Sequence, residues 1–296
     1  AKSKIVGLLL FGLKHSGSHF AGKDLELLWA AANQAAISIE NARLYKSEVE
    51  KQKIERDLDL ARKIQQGLLP QYIPNLKNLD ICGEMKPAMQ VGGDYYDLIT
   101  FLDKKLFVVV GDVSGKGLSA SLYMTKLQTI IQISCKEDKS PKEILVEVNK
   151  RIYNEIDRSW FVTMTLALFD MENNILTFCR AGHLPILSAS NGSVESYRTQ
   201  GIGIGLEKGI IFEKSLVEEI VKLKPGQTFA FFTDGVTEAM NDQNELFGEE
   251  KLHSILKDKS SARSSEIVNE IWSSVSSFRG STEVNDDMTM VVVKVK

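Results

Sequence analysis

Four short acidic motifs carry the residues best suited to chemistry: Gly92-Gly93-Asp94, Gly111-Asp112-Val113-Ser114-Gly115, Thr233-Asp234-Gly235 and Asn285-Asp286-Asp287-Met288-Thr289. Each sets a carboxylate beside glycine or a short polar residue, where the backbone turns sharply and comes close to a bound group. Carboxylates gathered together repel and desolvate one another, so a shared site calls for a cation. All-oxygen ligation selects a hard ion such as Mg²⁺ or Mn²⁺. A zinc site would draw on His and Cys, of which the 296-residue chain has only 4 and 3. Taken singly, Asp112 reads better as the cap of a following helix than as a metal ligand. Four such motifs in one chain favour a convergent acidic site.

The elements that must position these residues follow from the hydrophobic pattern. Leu106 to Val110 is an unbroken apolar, β-branched run that reads as a buried strand delivering Asp112 to a tight loop. Tyr95 to Leu102 precedes it across the turn Asp103-Lys104-Lys105, so Asp94 opens that strand. Gln227 to Thr233 ends at Asp234, and Met288 to Val295 begins after Asp286 and Asp287. Asp80 to Lys86 is a further strand. Phe161 to Phe169, Ile175 to Ala181, Leu184 to Ala189 and Val194 to Tyr197 read as an antiparallel meander, with Asn191-Gly192 a hairpin turn. Helices are predicted over Leu118 to Cys135, Pro141 to Ile156 with Ser140 as cap, Glu249 to Lys257 and Ser264 to Phe278. Strands with helices inserted in two blocks, rather than alternating, indicate an α+β sheet sandwich.

Upstream, Ile5 to Leu13 reads as a strand, and no proline or glycine interrupts Lys23 to Gln66, which predicts one long helix. Leu25, Leu28, Ala32, Ala35, Ile39 and Ala42 form its apolar seam, which slips once between Val49 and Ile54. Such a helix suits a coiled-coil homodimer or a signalling linker. The segments expected are 1–45, a helical linker over 46–70, and a catalytic domain over 71–296. Because it opens inside a strand-like run, the chain is expected to be cut from something longer. A net charge of −3 offers no basic surface for nucleic acid. No apolar run approaches the ~18 residues of a membrane span, and the widely spaced cysteines suit a reducing, cytoplasmic setting.

GGDYYD, VVVGDVSGKG, TDGVTEA and DDMTMVVV, preceded by ARKIQQGLLP, resemble the metal-dependent type 2C (PPM) protein serine/threonine phosphatases. The resemblance is to the bacterial branch of the sporulation stage II protein E and the stress-sigma-factor regulators, over roughly Asp59 to Lys296. It implies an α-β-β-α sandwich of two antiparallel sheets with two metal ions at one edge. On that resemblance Asp112 bridges both metals and Val113 offers its carbonyl to one. Asp234 and Asp286, or Asp287 in place of Asp286, hold the other metal, and Asp94 completes the second site directly or through water. The implied reaction is hydrolysis of phosphoserine or phosphothreonine on a regulatory protein, an anti-sigma-factor antagonist, with Asp112 and Asp94 as catalytic residues. GLLLFG and FAGKDLELLWAAANQAAISIENARLY are similar to the end of a GAF sensor domain, which would act through Gln65, Leu68 and Leu69. The competing reading is an inactive phosphatase fold that only binds a signalling partner.

Other motifs support less. His183 in AGHLP reads as structural. Gly201 to Gly205 lacks dinucleotide-binding spacing and reads as a flexible loop near the site, and Gly111 to Gly117 lacks the spacing of a phosphate-binding P-loop. Cys82, Cys135 and Cys179 are not followed by the arginine of a cysteine phosphatase.

Overall fold

A computed structural model describes residues 5–102 and 104–296, which divide into two compact units, Ala1–Leu60 and Ala61–Lys296. In the first unit residues 5–13 form no strand, which corrects the expectation for Ile5 to Leu13. A strand needs a neighbour to take up its backbone N–H and C=O groups; among the described residues none lies alongside, and Ile5, Leu8 and Leu10 are exposed. Helix α1 (Lys23–Leu68) runs unbroken for 46 residues, as the pattern requires, and the seam residues Leu25, Ile39 and Val49 are exposed. No helix among the described residues is long and apolar enough to cross a membrane.

The second unit begins within α1. Its elements are β1 (Leu79–Lys86), β2 (Tyr95–Phe101), β3 (Lys105–Val113), α2 (Leu118–Ser134), α3 (Pro141–Ile152), β4 (Val162–Asp170), β5 (Ile175–Ala181), β6 (Ile186–Ser190), β7 (Ser193–Tyr197), α4 (Ile210–Ser215), β8 (Glu218–Lys222), β9 (Thr228–Phe232), α5 (Asp234–Thr237), α6 (Gly248–Asp258), α7 (Ser264–Arg279) and β10 (Met288–Val295). They build two five-stranded antiparallel sheets, ordered β1-β10-β9-β6-β7 and β2-β3-β4-β5-β8. Strand alternation splits each sheet between two cores. On β3, Leu106, Val108 and Val110 pack between the sheets against Phe169, Phe229, Phe231 and Val291. Phe107 and Val109 face the other way, against Leu127, Ile131 and Val148 of α2 and α3. The sheet that holds β9 and β10 turns Ala230, Phe232 and Val292 toward Leu252, Ile271 and Trp272 of α6 and α7. Both faces of each sheet are thus covered, which is why β3 and β10 read as continuous apolar runs. The result is the expected α-β-β-α sandwich. Ser140 caps α3 as expected, and Glu143 returns the contact to the Ser140 backbone N–H.

Three local expectations change. Strand β3 does not stop at Val110: Asp112 pairs with Thr163 and Val113 with Val162, so the carboxylate stands on the strand itself. The four strands from β4 to β7 are not one meander, because β5 pairs with β8 and the chain crosses to the other sheet before β6. Gly182, at φ +70°, makes the corner, and Arg180 braces it by donating to the carbonyls of Leu184 and Thr199. Nor is Gly201 to Gly205 a flexible loop: Ile204 is fully buried and exchanges backbone hydrogen bonds of 2.8 and 2.9 Å with Val162. A side chain at Gly201 would lie 1.8 Å from the carbonyl oxygen of Arg180.

Candidate metal centre

The acidic motifs meet where the inter-sheet core ends. Following Leu106, Val108 and Val110, Asp112 is the next residue on the same side of β3, just past the last apolar layer. Asp94, one residue before β2, is 1% exposed, and its Oδ2 accepts hydrogen bonds from Thr233 Oγ1 (2.8 Å) and Thr289 Oγ1 (2.6 Å). Thr289 N–H donates in turn to Thr233 Oγ1 (2.9 Å), which ties the ends of β9 and β10 around this carboxylate. Burial foremost, then the charge of Asp112, pushes Asp94 well above the usual carboxylate range, against the pull of the two hydroxyls.

Asp112 is pushed up to about 8, by burial first and then by the charges of Asp234, Asp286 and Asp287, with Lys116 opposing them. Asp234 opens α5 and is also raised, by burial and by Asp286, while the backbone N–H of Gly235 eases it. Neighbouring Asp286 and Asp287 have different employments. Asp287 is buried, and its two oxygens accept from Ala88 N–H and Gly93 N–H, both at 2.8 Å. Asp286 faces Lys116, with Nζ 2.9 Å from its Oδ2. The glycines permit these approaches: a Cβ at Gly92 would lie 1.9 Å from Asp287 Oδ2, and one at Gly235 would lie 2.0 Å from the Asp287 carbonyl oxygen. Gly93 gives the same clearance to Val113, whose carbonyl oxygen would sit 2.7 Å from an added Cβ.

Asp94, Asp112, Asp234 and Asp286 therefore stand within one electrostatic neighbourhood. Among the described residues, no three His, Cys, Asp or Glu side chains are already drawn around one point as a cage. The donor set is all-oxygen, which fits a hard divalent cation. Gln65, the buried residue of α1, exchanges two hydrogen bonds with Gly92: its Nε2 donates to the carbonyl (2.7 Å) and its Oε1 accepts from the N–H (3.1 Å). Leu69 packs against both neighbouring cores. His183 lies outside the cluster. It is buried, held down to about 3 by burial and by Arg180, and bonded through Nδ1 to Thr163 Oγ1 (2.8 Å), which is a structural role. Sequence reasoning overlooked Lys116, Thr233 and Thr289, although each sits inside a quoted motif and the two threonines flank its aspartates.

This sandwich with its acidic edge is the fold of PP2C-type phosphatases: the SiaA-PP2C domain of Pseudomonas aeruginosa superposes with a TM-score of 0.74 at 22% identity, covering 83% of this chain and 99% of that one. RsbX, solved in complex with magnesium, superposes at 0.57 with 18% identity, covering 76% and 99%. Residues 102–296 match the model of the Stage II sporulation protein E (SpoIIE) family, and the chain belongs to that family. The phosphoserine phosphatase RsbU of Bacillus subtilis is 28% identical over 246 residues, 83% of this chain and 72% of that protein. The chain spans between 41% and 72% of the length of the curated relatives it matches.

Proposed function

We propose that this chain is a metal-dependent protein phosphatase that removes phosphate from phosphoserine or phosphothreonine of a bacterial regulatory protein, an anti-sigma-factor antagonist. The observation that carries the reading is the gathering of the acidic motifs at one edge of the sandwich: Asp94 buried beneath the Thr233 and Thr289 hydroxyls, Asp287 bound to the Gly93 N–H, and Asp286 facing Lys116 beside the loop that follows Asp112. Asp112 and the Val113 carbonyl would hold one cation, Asp112 with Asp234 and Asp286 the other, and Asp94 would reach the site directly or through water. The chemistry a bound Mg²⁺ or Mn²⁺ pair supplies is an activated water and neutralisation of charge on the phosphoryl oxygens. The chain's own part is positioning: Thr233 and Thr289 fix Asp94, and Asp287 fixes the Gly92-Gly93 turn. No thiol is ready to act as nucleophile, since burial pushes Cys135 and Cys179 up to about 12 and raises Cys82.

Control enters through α1. A sensor preceding the linker, GAF-like by its sequence, would shift the register or order of the helix, and a coiled-coil homodimer would give that shift a partner surface. The bond between Gln65 and Gly92 supports this route, because it joins the helix to the motif that carries Asp94. The test is phosphate release from a phosphorylated antagonist protein with Mn²⁺. Wild-type protein should turn over and Asp112→Asn should lose at least about 100-fold, since even residues behind a metal ligand cost 10- to 100-fold. Wild-type-like turnover by the variant would overturn the reading.

A further inference from the structure

Lys116 sits on the loop between β3 and α2, between Gly115 (φ +84°) and Gly117 (φ +74°). Its Nζ is 2.9 Å from Asp286 Oδ2 and also donates to the carbonyl of Asn285. The same ammonium also pulls against the raised carboxyls of Asp112, Asp234 and Glu238, after burial and their like-charged neighbours. An ammonium makes a poor permanent partner there. It offers one charge to at least three carboxylates, and the contact is half exposed, with 51% of the lysine side chain open to solvent. The loop is pinned on one side only: a Cβ at Gly115 would strike the Trp160 ring at 2.8 Å, whereas one at Gly117 meets nothing within 4 Å. Lysine's long stem lets Nζ withdraw by side-chain rotation while the strand carrying Asp112 stays in place.

We propose that Lys116 is a built-in counter-cation that a divalent metal ion must displace from Asp286 before the metal centre can form. The inference rests on the metal-dependent reading above and adds a competitor within the chain itself. Lys116 thus sets the metal concentration at which the site fills. It also keeps the acidic edge from charging the metal-free protein against itself.

The test is calorimetric titration of Mn²⁺ alone, without substrate, into the full chain as wild type, Lys116→Gln and Lys116→Arg, at one pH and ionic strength. Lys116→Gln should bind Mn²⁺ about three- to tenfold more tightly, through loss of an exposed ion pair and of repulsion between the ammonium and the incoming ion. Lys116→Arg, which keeps the charge, should stay within about twofold of wild type. Tight Mn²⁺ binding by wild type with no gain in Lys116→Gln would overturn the role of Lys116 and leave the metal reading standing. If neither wild type nor Lys116→Gln binds Mn²⁺, the metal reading fails and this inference falls with it.

Discussion

Asp112 shows how burial and like charge combine at one residue. Its carboxyl is pushed to about 8, far above the roughly 3.9 of an unfolded chain. A carboxyl raised by folding contributes nothing while it is protonated in both states and costs stability once the unfolded chain can ionise it. The metal-free protein should therefore lose stability as pH climbs from about 4 toward 8, and regain it as pH falls through that window. Asp112→Asn removes the penalty. At pH 8 without metal it should unfold roughly 2–4 °C later than wild type, the shift expected for ~1 kcal/mol in a domain of this size. With saturating Mn²⁺ the order should reverse, because only wild type gains a bound ion; differential scanning calorimetry in both conditions checks both signs. Gly92 makes a second prediction at this scale. Gly92→Ala places a methyl against the Asp287 carboxylate that braces Ala88 and Gly93, so it should cost about 1–3 kcal/mol in urea unfolding, as overpacking does.

At the scale of elements, β3 and α1 do the positioning. Strand β3 is held on both edges, by β2 as far as Gly111 and by β4 through Asp112 and Val113, so the backbone that carries Asp112 continues the core sheet. Helix α1 reaches the same site through Gln65, with two hydrogen bonds to Gly92. Ala61→Pro removes an internal helix hydrogen bond one turn before that contact, at a local cost of ~3 kcal/mol. It should change phosphatase turnover while leaving the Mn²⁺ affinity within about threefold of wild type. Turnover and oligomeric state both unchanged, by activity assay and light scattering, would count against control through the helix.

For the molecule as a whole, the boundary of the folding unit is the useful question. All three hydrophobic cores draw on residues beyond Ala61, and the division of the chain falls inside α1 rather than after it. A fragment of residues 61–296 should therefore fold cooperatively. One of residues 71–296, the boundary that Pro70 suggests, loses Gln65 and the packing of Leu69 and should be about 1–3 kcal/mol less stable by urea denaturation, the cost of leaving the Gly92 groups buried and unpaired.

Much of this was legible in the chain. Period-two and unbroken apolar runs located most strands because alternation and two-sided burial are local consequences of strand geometry, and the glycine-flanked aspartates marked the acidic edge because close approach needs a missing Cβ. The strand status of Asp112, the division of the β4 to β7 run between two sheets, the elements α4 and β8, and the absence of a strand at residues 5–13 were not legible. Each depends on a partner supplied from elsewhere in the chain, such as Thr163 for Asp112, or on the want of one. The same holds within the site. Sequence determined which side chains were carboxylates; only tertiary structure decided that Asp287 is occupied by two backbone N–H groups while Asp286 faces Lys116, because hydrogen-bond partners 194 and 199 residues away lie beyond any local pattern.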